Sequence, residues 1–181
     1  MVCTCCSLVI RQVLEKTGVR VNQVSLGELS ITYDASEIKF SRIEDVLARN
    51  GFPVVQDKEK ILVEQIKTAV IELIHFAGNK NSIIRNSDYL VEKLGLSYQY
   101  LSGIFSKHEG TTLERFIILH KIEKVKELLE YGDLTLSEIS YDMGYSSVQY
   151  LSTQFRAITG ESVTSYRKTP GAGRKPLNEI Y

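Results

Sequence analysis

Residues whose types and spacing could do chemistry gather in two places. The tetrapeptide Gln-Tyr-Leu-Ser occurs at Gln99 to Ser102 and again at Gln149 to Ser152, each copy followed by a Phe (Phe105, Phe155) and a Gly (Gly110, Gly160) at the same offset of 50. Wound as helices, the copies turn Leu101, Ile104 and Phe105, or Leu151 and Phe155, inward. Gln99, Ser102 and Gly103 then face outward in one copy, and Val148, Gln149, Ser152 and Thr153 in the other. A Gln amide can hold an adenine edge with two hydrogen bonds, a hydroxyl adapts to either partner, and the methyls of Val and Thr suit the thymine methyl. The plainer alternative is two solvated surface amides. Recurrence of the same amide at the same helical station favours the reading role.

The second place is Cys3, Cys5 and Cys6. Thiols this close together cannot staple a fold, so they point to metal or thiol chemistry, or to none. With no His near them, a closed zinc site is not in view. His75, His108 and His120 read as surface or packing residues.

Stepping outward, each recognition segment needs an element to hold it up. Tyr89 through Leu94-Gly95-Leu96-Ser97 precedes the first copy, and Ile139 through Met143-Gly144-Tyr145-Ser146 precedes the second. Helix, Gly-containing turn and capped second helix make a helix-turn-helix pattern, in which a steeply angled support makes the second helix protrude enough to enter a major groove. The segment between the copies, Thr112 to Tyr131, reads as one helix of roughly 30 Å, which could seat two readers about one DNA turn apart. Because Gly95 and Gly144 stand 49 apart, the second recognition helix is expected to carry one more residue before its Gln.

The other segments read as follows. Cys6 to Thr17 is a helix stopped by Gly18; Val19 to Tyr33 is a hairpin around Gly27-Glu28; Ser41 with Glu44 signals a capping box opening a helix that ends at Gly51; Phe52 to Val55 is a short strand. From Asp57 the pattern is helical, with a long helix through Ile61, Ile66, Val70, Ile71 and Ile74 to the breaker Gly78-Asn79-Lys80-Asn81. Helices follow over 87–94, 98–108, 112–131, 136–143 and 148–159, with starts signalled by Thr111 with Glu114, Thr135 with Glu138, and Ser146 with Gln149. A helical turn is expected over 163–167.

Composition sets bounds. The 181 residues, 43% hydrophobic, allow one domain or two small ones. No apolar run is long enough to span a membrane and no signal-peptide pattern opens the chain, so it is expected in the cytoplasm. A formal net charge of zero argues against a nonspecific nucleic-acid coat, though not against a reader with its donors on one face. An enzyme is disfavoured: no nucleophile with a base, phosphate loop or paired carboxylates stands in a recognisable setting.

The stretch Leu136 to Gly160, followed by Ser165-Tyr166-Arg167, resembles the signature of the AraC/XylS family of bacterial transcription regulators, over about Ile61 to Lys168. The resemblance implies a seven-helix domain with two helix-turn-helix units on double-stranded DNA, usually activating transcription beside RNA polymerase. Carried over, base contacts fall to Gln99, Ser102, Gly103, Val148, Gln149 and Thr153, and phosphate contacts to Lys107, Lys121 and Arg156. Family members often have Arg at base-reading positions where Ser102, Gly103 and Thr153 stand here, so an A/T-leaning site is expected. Lys121 stands where the linker helix more often has Arg.

Residues 1–56 resemble a heavy-metal-associated domain whose Met-x-Cys-x-x-Cys loop binds copper(I) or a similar soft ion; the spacing fits Cys3 and Cys6, with Cys5 spare. Helix-terminal thiolates suit such a cation. That fold begins with a strand in the middle of its sheet, which is missing before Cys3, and its loss exposes the edges of two neighbours. The expected architecture is therefore an α+β module, incomplete ferredoxin-like (α-β-β-α-β), over 1–56. An all-α domain with two helix-turn-helix units and a long linker helix covers 57–168, and a disordered tail covers 169–181. A regulator responsive to metal, a metal-handling protein, and a homodimer through the N-terminal module remain open at this point.

Overall fold

The computed structural model describes residues 4–25, 27–55, 57–76, 86–168 and 173–180. The chain divides into two compact units, Met1–Thr68 and Ala69–Tyr181. The division falls inside α3 (Lys58–Ile71), later than the change of pattern at residue 57.

The first unit holds α1 (Thr4–Glu15), a hairpin of β1 (Arg20–Ser25) and β2 (Glu28–Thr32), and α2 (Phe40–Arg49). The strands pair antiparallel with a register shift between Val21 and Gln23. Ile10 and Leu14 from α1, Val19, Val21, and Ile43 and Leu47 from α2 form its core. Arg11 Nη1 donates to the Val21 carbonyl at 3.2 Å, fastening α1 to the strand. Among the described residues the sheet has two strands. Phe52 to Val55, expected as a third strand, carries no strand structure. A strand exists only through a neighbour that takes its backbone donors and acceptors, and among the described residues β1 and β2 pair only with each other. The expected capping box of α2 is also absent: the helix opens one residue before Ser41, with Lys39 as an N-cap that makes no side-chain bond.

The second unit is helical. The last turn leading out of α3 widens into a π-helical segment, Glu72–Phe76, a form that shifts side-chain register by one residue and is common where a particular side chain must be placed. Residues 77–85, including the expected breaker Gly78 to Asn81, lie outside the described residues. Then come α4 (Asn86–Leu94), α5 (Tyr98–Glu109), α6 (Leu113–Tyr131), α7 (Leu136–Asp142), α8 (Val148–Thr159) and α9 (Val163–Tyr166). Helix α6 serves two interiors. Its first half buries Leu113, Phe116 and Ile117, with Phe116 against Phe105 of α5 at 5.1 Å between ring centroids. Its second half joins Ile122, Val125 and Leu129 to Ile139, Met143, Leu151, Phe155, Val163 and Tyr166. Among the described residues no helix is long and apolar enough to cross a membrane.

The breaker-rich tail departs from expectation. Residues 173–180 contain a 3-10 turn at Leu177–Glu179, and Ile180 is buried. Local breakers forbid regular structure but leave long-range ion pairs free to order a chain, and Arg174 makes several of these on α6. Residues 169–172 and 181 lie outside the described residues.

Candidate nucleic-acid interface

The two repeats fold into two helix-turn-helix units, α4–α5 and α7–α8, packed on opposite halves of α6. In each, a serine opens the second helix. Ser97 accepts from the Tyr100 backbone N–H and Ser147 from that of Tyr150, at 3.3 and 3.1 Å. The caps thus stand 50 apart, like the glutamines. The expected cap Ser146 lies one residue too early, and both helices carry a single residue, Tyr98 or Val148, between cap and Gln. The inequality predicted for the helices belongs to the turns instead. Gly95 and Ser97 enclose one residue, Leu96; Gly144 and Ser147 enclose two, Tyr145 and Ser146.

The turns close differently. At the end of α4 the Gly95 N–H donates to the Val91 carbonyl at 2.9 Å, a single left-handed closure. At the end of α7 the Gly144 N–H reaches Tyr141 and the Tyr145 N–H reaches Ser140, both at 2.9 Å, which is the double closure of a Schellman motif. Both glycines have φ near +65°, at 67° and 64°, where a Cβ would be strained. Thr135 and Glu138 form the expected reciprocal capping box at the start of α7. The start of α6 is capped by Thr112, one residue after the Thr111 expected from sequence.

The second turn is filled by a polar and aromatic cluster. Tyr145 donates its hydroxyl to Gln154 Oε1 at 2.6 Å, its ring meets that of Tyr150 edge-on at 6.0 Å, and Lys121 Nζ lies 5.4 Å from its centroid. Burial, with Tyr150 adding to it, pushes the Tyr145 phenol above the ordinary range, so it remains a neutral donor. Lys121 donates to the Met143 carbonyl at 2.8 Å, and burial lowers its pKa from the usual lysine value. Lys121, expected as a phosphate partner, thus has its ammonium bonded inside the turn. A linker-helix lysine is at the right place to reach a turn carbonyl, but only the packed geometry distinguishes that use from an outward one.

Of the expected base-contact residues, Gln99, Gly103, Gln149 and Thr153 are exposed, and Ser102 and Val148 are half-buried. Thr153 returns its hydroxyl to the Gln149 carbonyl at 2.9 Å, which leaves its methyl as the outward group. Nothing lies within 4 Å of a Cβ built on Gly103, so the first helix presents a bare surface there. Lys107 and Arg156 are exposed near the ends of α5 and α8. Sequence reasoning missed two outward aromatics, Tyr100 and Tyr150, 51% and 53% exposed at matching stations of the two helices. Their membership in the repeat was visible; their exposure was not, since Tyr is so often an inward residue.

The first helix-turn-helix is held by a different device. His120, fully buried on α6, packs its ring against Phe116 at 4.4 Å and shares a hydrogen bond with His75 Nε2 through its Nδ1 at 3.2 Å. The π-helical turn at residue 75 supplies that partner. Burial first, then the charges of Lys124 and Arg174, lower the pKa of His75 to about 4; burial and then His75 lower that of His120 to about 3. Both are neutral at ordinary pH. His120 Nε2 is a buried polar atom without a hydrogen-bond partner.

Cys3 lies outside the described residues. Cys5 is exposed and Cys6 half-buried at the start of α1. Among the described residues no group of three or more His, Cys, Asp or Glu could hold a metal ion.

By this geometry the helical unit is a double helix-turn-helix domain. A family model described as "Helix-turn-helix domain" matches residues 90–169. The Xylose operon regulatory protein of Escherichia coli (strain K12) is 30% identical in an alignment of 163 residues covering 82% of this chain and 40% of that protein. The Msm operon regulatory protein of Streptococcus mutans is 31% identical over 109 residues, 60% of this chain and 37% of that protein. Among solved structures, the C-terminal domain of AraT, a response regulator from Geobacillus stearothermophilus, has a TM-score of 0.50 at 26% identity, covering 62% of this chain and 88% of that one. The chain spans about 40% of the length of the curated relatives it matches. With its paired units, the chain is similar over residues 90–169 to helix-turn-helix regulators of the AraC/XylS type. These relatives are named as regulators, not as enzymes.

Proposed function

We propose that the chain is a DNA-binding transcription regulator of the AraC/XylS type that reads two successive major-groove segments of double-stranded DNA with α5 and α8. The observation that carries this reading is the repeated recognition helix, capped by Ser97 and Ser147 at one offset, with Gln99 and Gln149 both exposed two residues inside the cap. Gln99, Ser102 and Gly103 meet bases through α5; Val148, Gln149 and Thr153 do so through α8. Lys107 and Arg156 meet phosphates. With no Arg or Lys among the six base-facing residues, guanine is not held by a forked donor and the site leans to A/T. Action beside RNA polymerase and residence in the cytoplasm belong to the same proposal.

A salt titration with the full chain tests it. A duplex selected from a random pool should bind with affinity that falls linearly against log salt, and Lys107→Ala or Arg156→Ala should each reduce the slope by about 0.9 if it removes one phosphate contact. Binding that shows no preference for the selected duplex over random DNA would overturn the reading.

The metal-responsive alternative rests on the spacing of Cys3 and Cys6 in the sequence alone. Copper(I) binding that is the same in the wild type and in Cys3→Ser/Cys6→Ser would dispose of it. A homodimer through the first unit likewise has the sequence resemblance alone behind it.

A further inference from the structure

Glu123, Glu127 and Glu130 fall at i, i+4 and i+7, one face of α6, where a stripe of acids would ordinarily be solvated. Yet Glu123 is 4% exposed and its neighbour Lys126 8%. The C-terminal segment lies beside them. Arg174 forks across the stripe, with Nη1 at 3.2 Å from Glu130 Oε2, Nη2 at 3.2 Å from Glu127 Oε2 and Nε at 3.7 Å from Glu123 Oε1. The backbone N–H of Lys175 donates to Glu123 Oε1 at 2.8 Å, and Lys126 donates to the Gly173 carbonyl at 2.7 Å while pairing with Glu123 at 3.0 Å. Glu130 also accepts the hydroxyl of Tyr166, 2.7 Å away on α9.

The position of this clamp matters. Helix α6 passes from the first interior to the second between His120 and Ile122, and Glu123 stands just after that crossing. The clamp grips α6 from Glu123 to Glu130, roughly 10 Å of helix, and Arg174 is close enough to lower the pKa of His75, which packs with the first helix-turn-helix. A planar guanidinium on three carboxylates fixes direction as well as distance, which a lysine could not. Losing it would leave Glu123 and its neighbours as crowded, partly desolvated negative charges.

We propose that residues 173–180 are a strap that stiffens the linker helix and sets the relative placement of the two recognition helices, with Arg174 as its positioning residue. This inference rests on the DNA reading above and adds to it a reason for a fixed half-site spacing. A linker free to bend at the crossing would tolerate several spacings, because a small change in its curvature moves one reader along and around the duplex.

The test uses the full chain and the pool-selected duplex, alongside duplexes with one base pair added or removed between the two contacted segments. Wild type should prefer the selected spacing by tenfold or more. Arg174→Gln should reduce that preference to threefold or less while retaining binding, and Arg174→Lys should fall between. Hydrogen exchange without DNA gives an independent readout: amides near the middle of α6 should exchange at least tenfold faster in Arg174→Gln. A spacing preference unchanged in Arg174→Gln, or a loss of affinity equal at every spacing, overturns the proposal. So does unaltered exchange in α6. A wild-type chain that selects no duplex overturns the DNA reading itself, and the reader-positioning role with it, whatever the exchange shows.

Discussion

In the first helix-turn-helix the turn before the recognition helix is Gly95-Leu96, and Leu96 is exposed; in the second it is Gly144-Tyr145-Ser146, and Tyr145 is held by Gln154, Tyr150 and Lys121. Beyond the turn the scaffold is the same. Ser97 and Ser147 cap helices of twelve residues, Leu101 and Leu151 are fully buried, and so are Phe105 and Phe155. One extra residue in a turn is absorbed without moving the cap because the Schellman closure and the Tyr145 contacts order it locally. The two units therefore differ in how they are fastened, not in where they hold their glutamines. The second uses a polar and aromatic cluster; the first uses apolar contacts and a neutral histidine pair.

The shared part can be broken most severely. Phe105→Ala and Phe155→Ala should each lower the unfolding free energy by about 3–5 kcal/mol, as large cavities in a packed interior do. Denaturant melts should show costs within ~1 kcal/mol of each other; a much larger gap would mean that the two interiors are not equivalent.

The histidine pair should make acid sensitivity a property of the first helix-turn-helix. Both imidazoles have folded-state pKa values below the usual 6.5, about 4 for His75 and about 3 for His120, so the unfolded chain binds more protons. Stability is then complete above pH 6.5 and falls as pH drops toward 3, by about 2 kcal/mol for each imidazole between pH 7 and pH 5. In His75→Leu/His120→Leu the pH dependence of thermal unfolding should flatten over that interval. A profile as steep as wild type would place the acid sensitivity elsewhere.

The turn cluster carries less. Tyr145→Phe strands the Gln154 carbonyl oxygen and should cost about 1 kcal/mol, while Leu96→Ala, at the matching exposed station, should stay within about 0.5 kcal/mol. Equal costs, read from the same melts, would erase the distinction between the turns. Smallest is Gly103→Ala. With open space around its Cβ and a helical backbone, it should stabilise by up to about 1 kcal/mol.

The periodicity of apolar residues and the offset of 50 made the helices and their outward faces legible, because both signals are local. What escaped the sequence depends on contacts between distant segments. Ser146 and Ser147 are equally competent caps, and only the extra turn residue selects the second. Phe52 to Val55 has strand composition but, among the described residues, no partner strand. Lys121 looks like a surface cation until Met143 is folded against it, and Arg174 sits among Pro and Gly residues that suggest no order, while the glutamates that hold it lie 44 to 51 positions earlier.

The claim that both units read DNA is tested most directly by measuring affinity for the selected duplex in wild type, Gln99→Ala, Gln149→Ala and the double variant at one salt concentration. Each single change should cost about 1–3 kcal/mol, a weakening of roughly 5- to 150-fold, and the double should approach the sum. A double variant that binds the selected duplex as tightly as wild type would contradict the assignment of the two glutamines as readers.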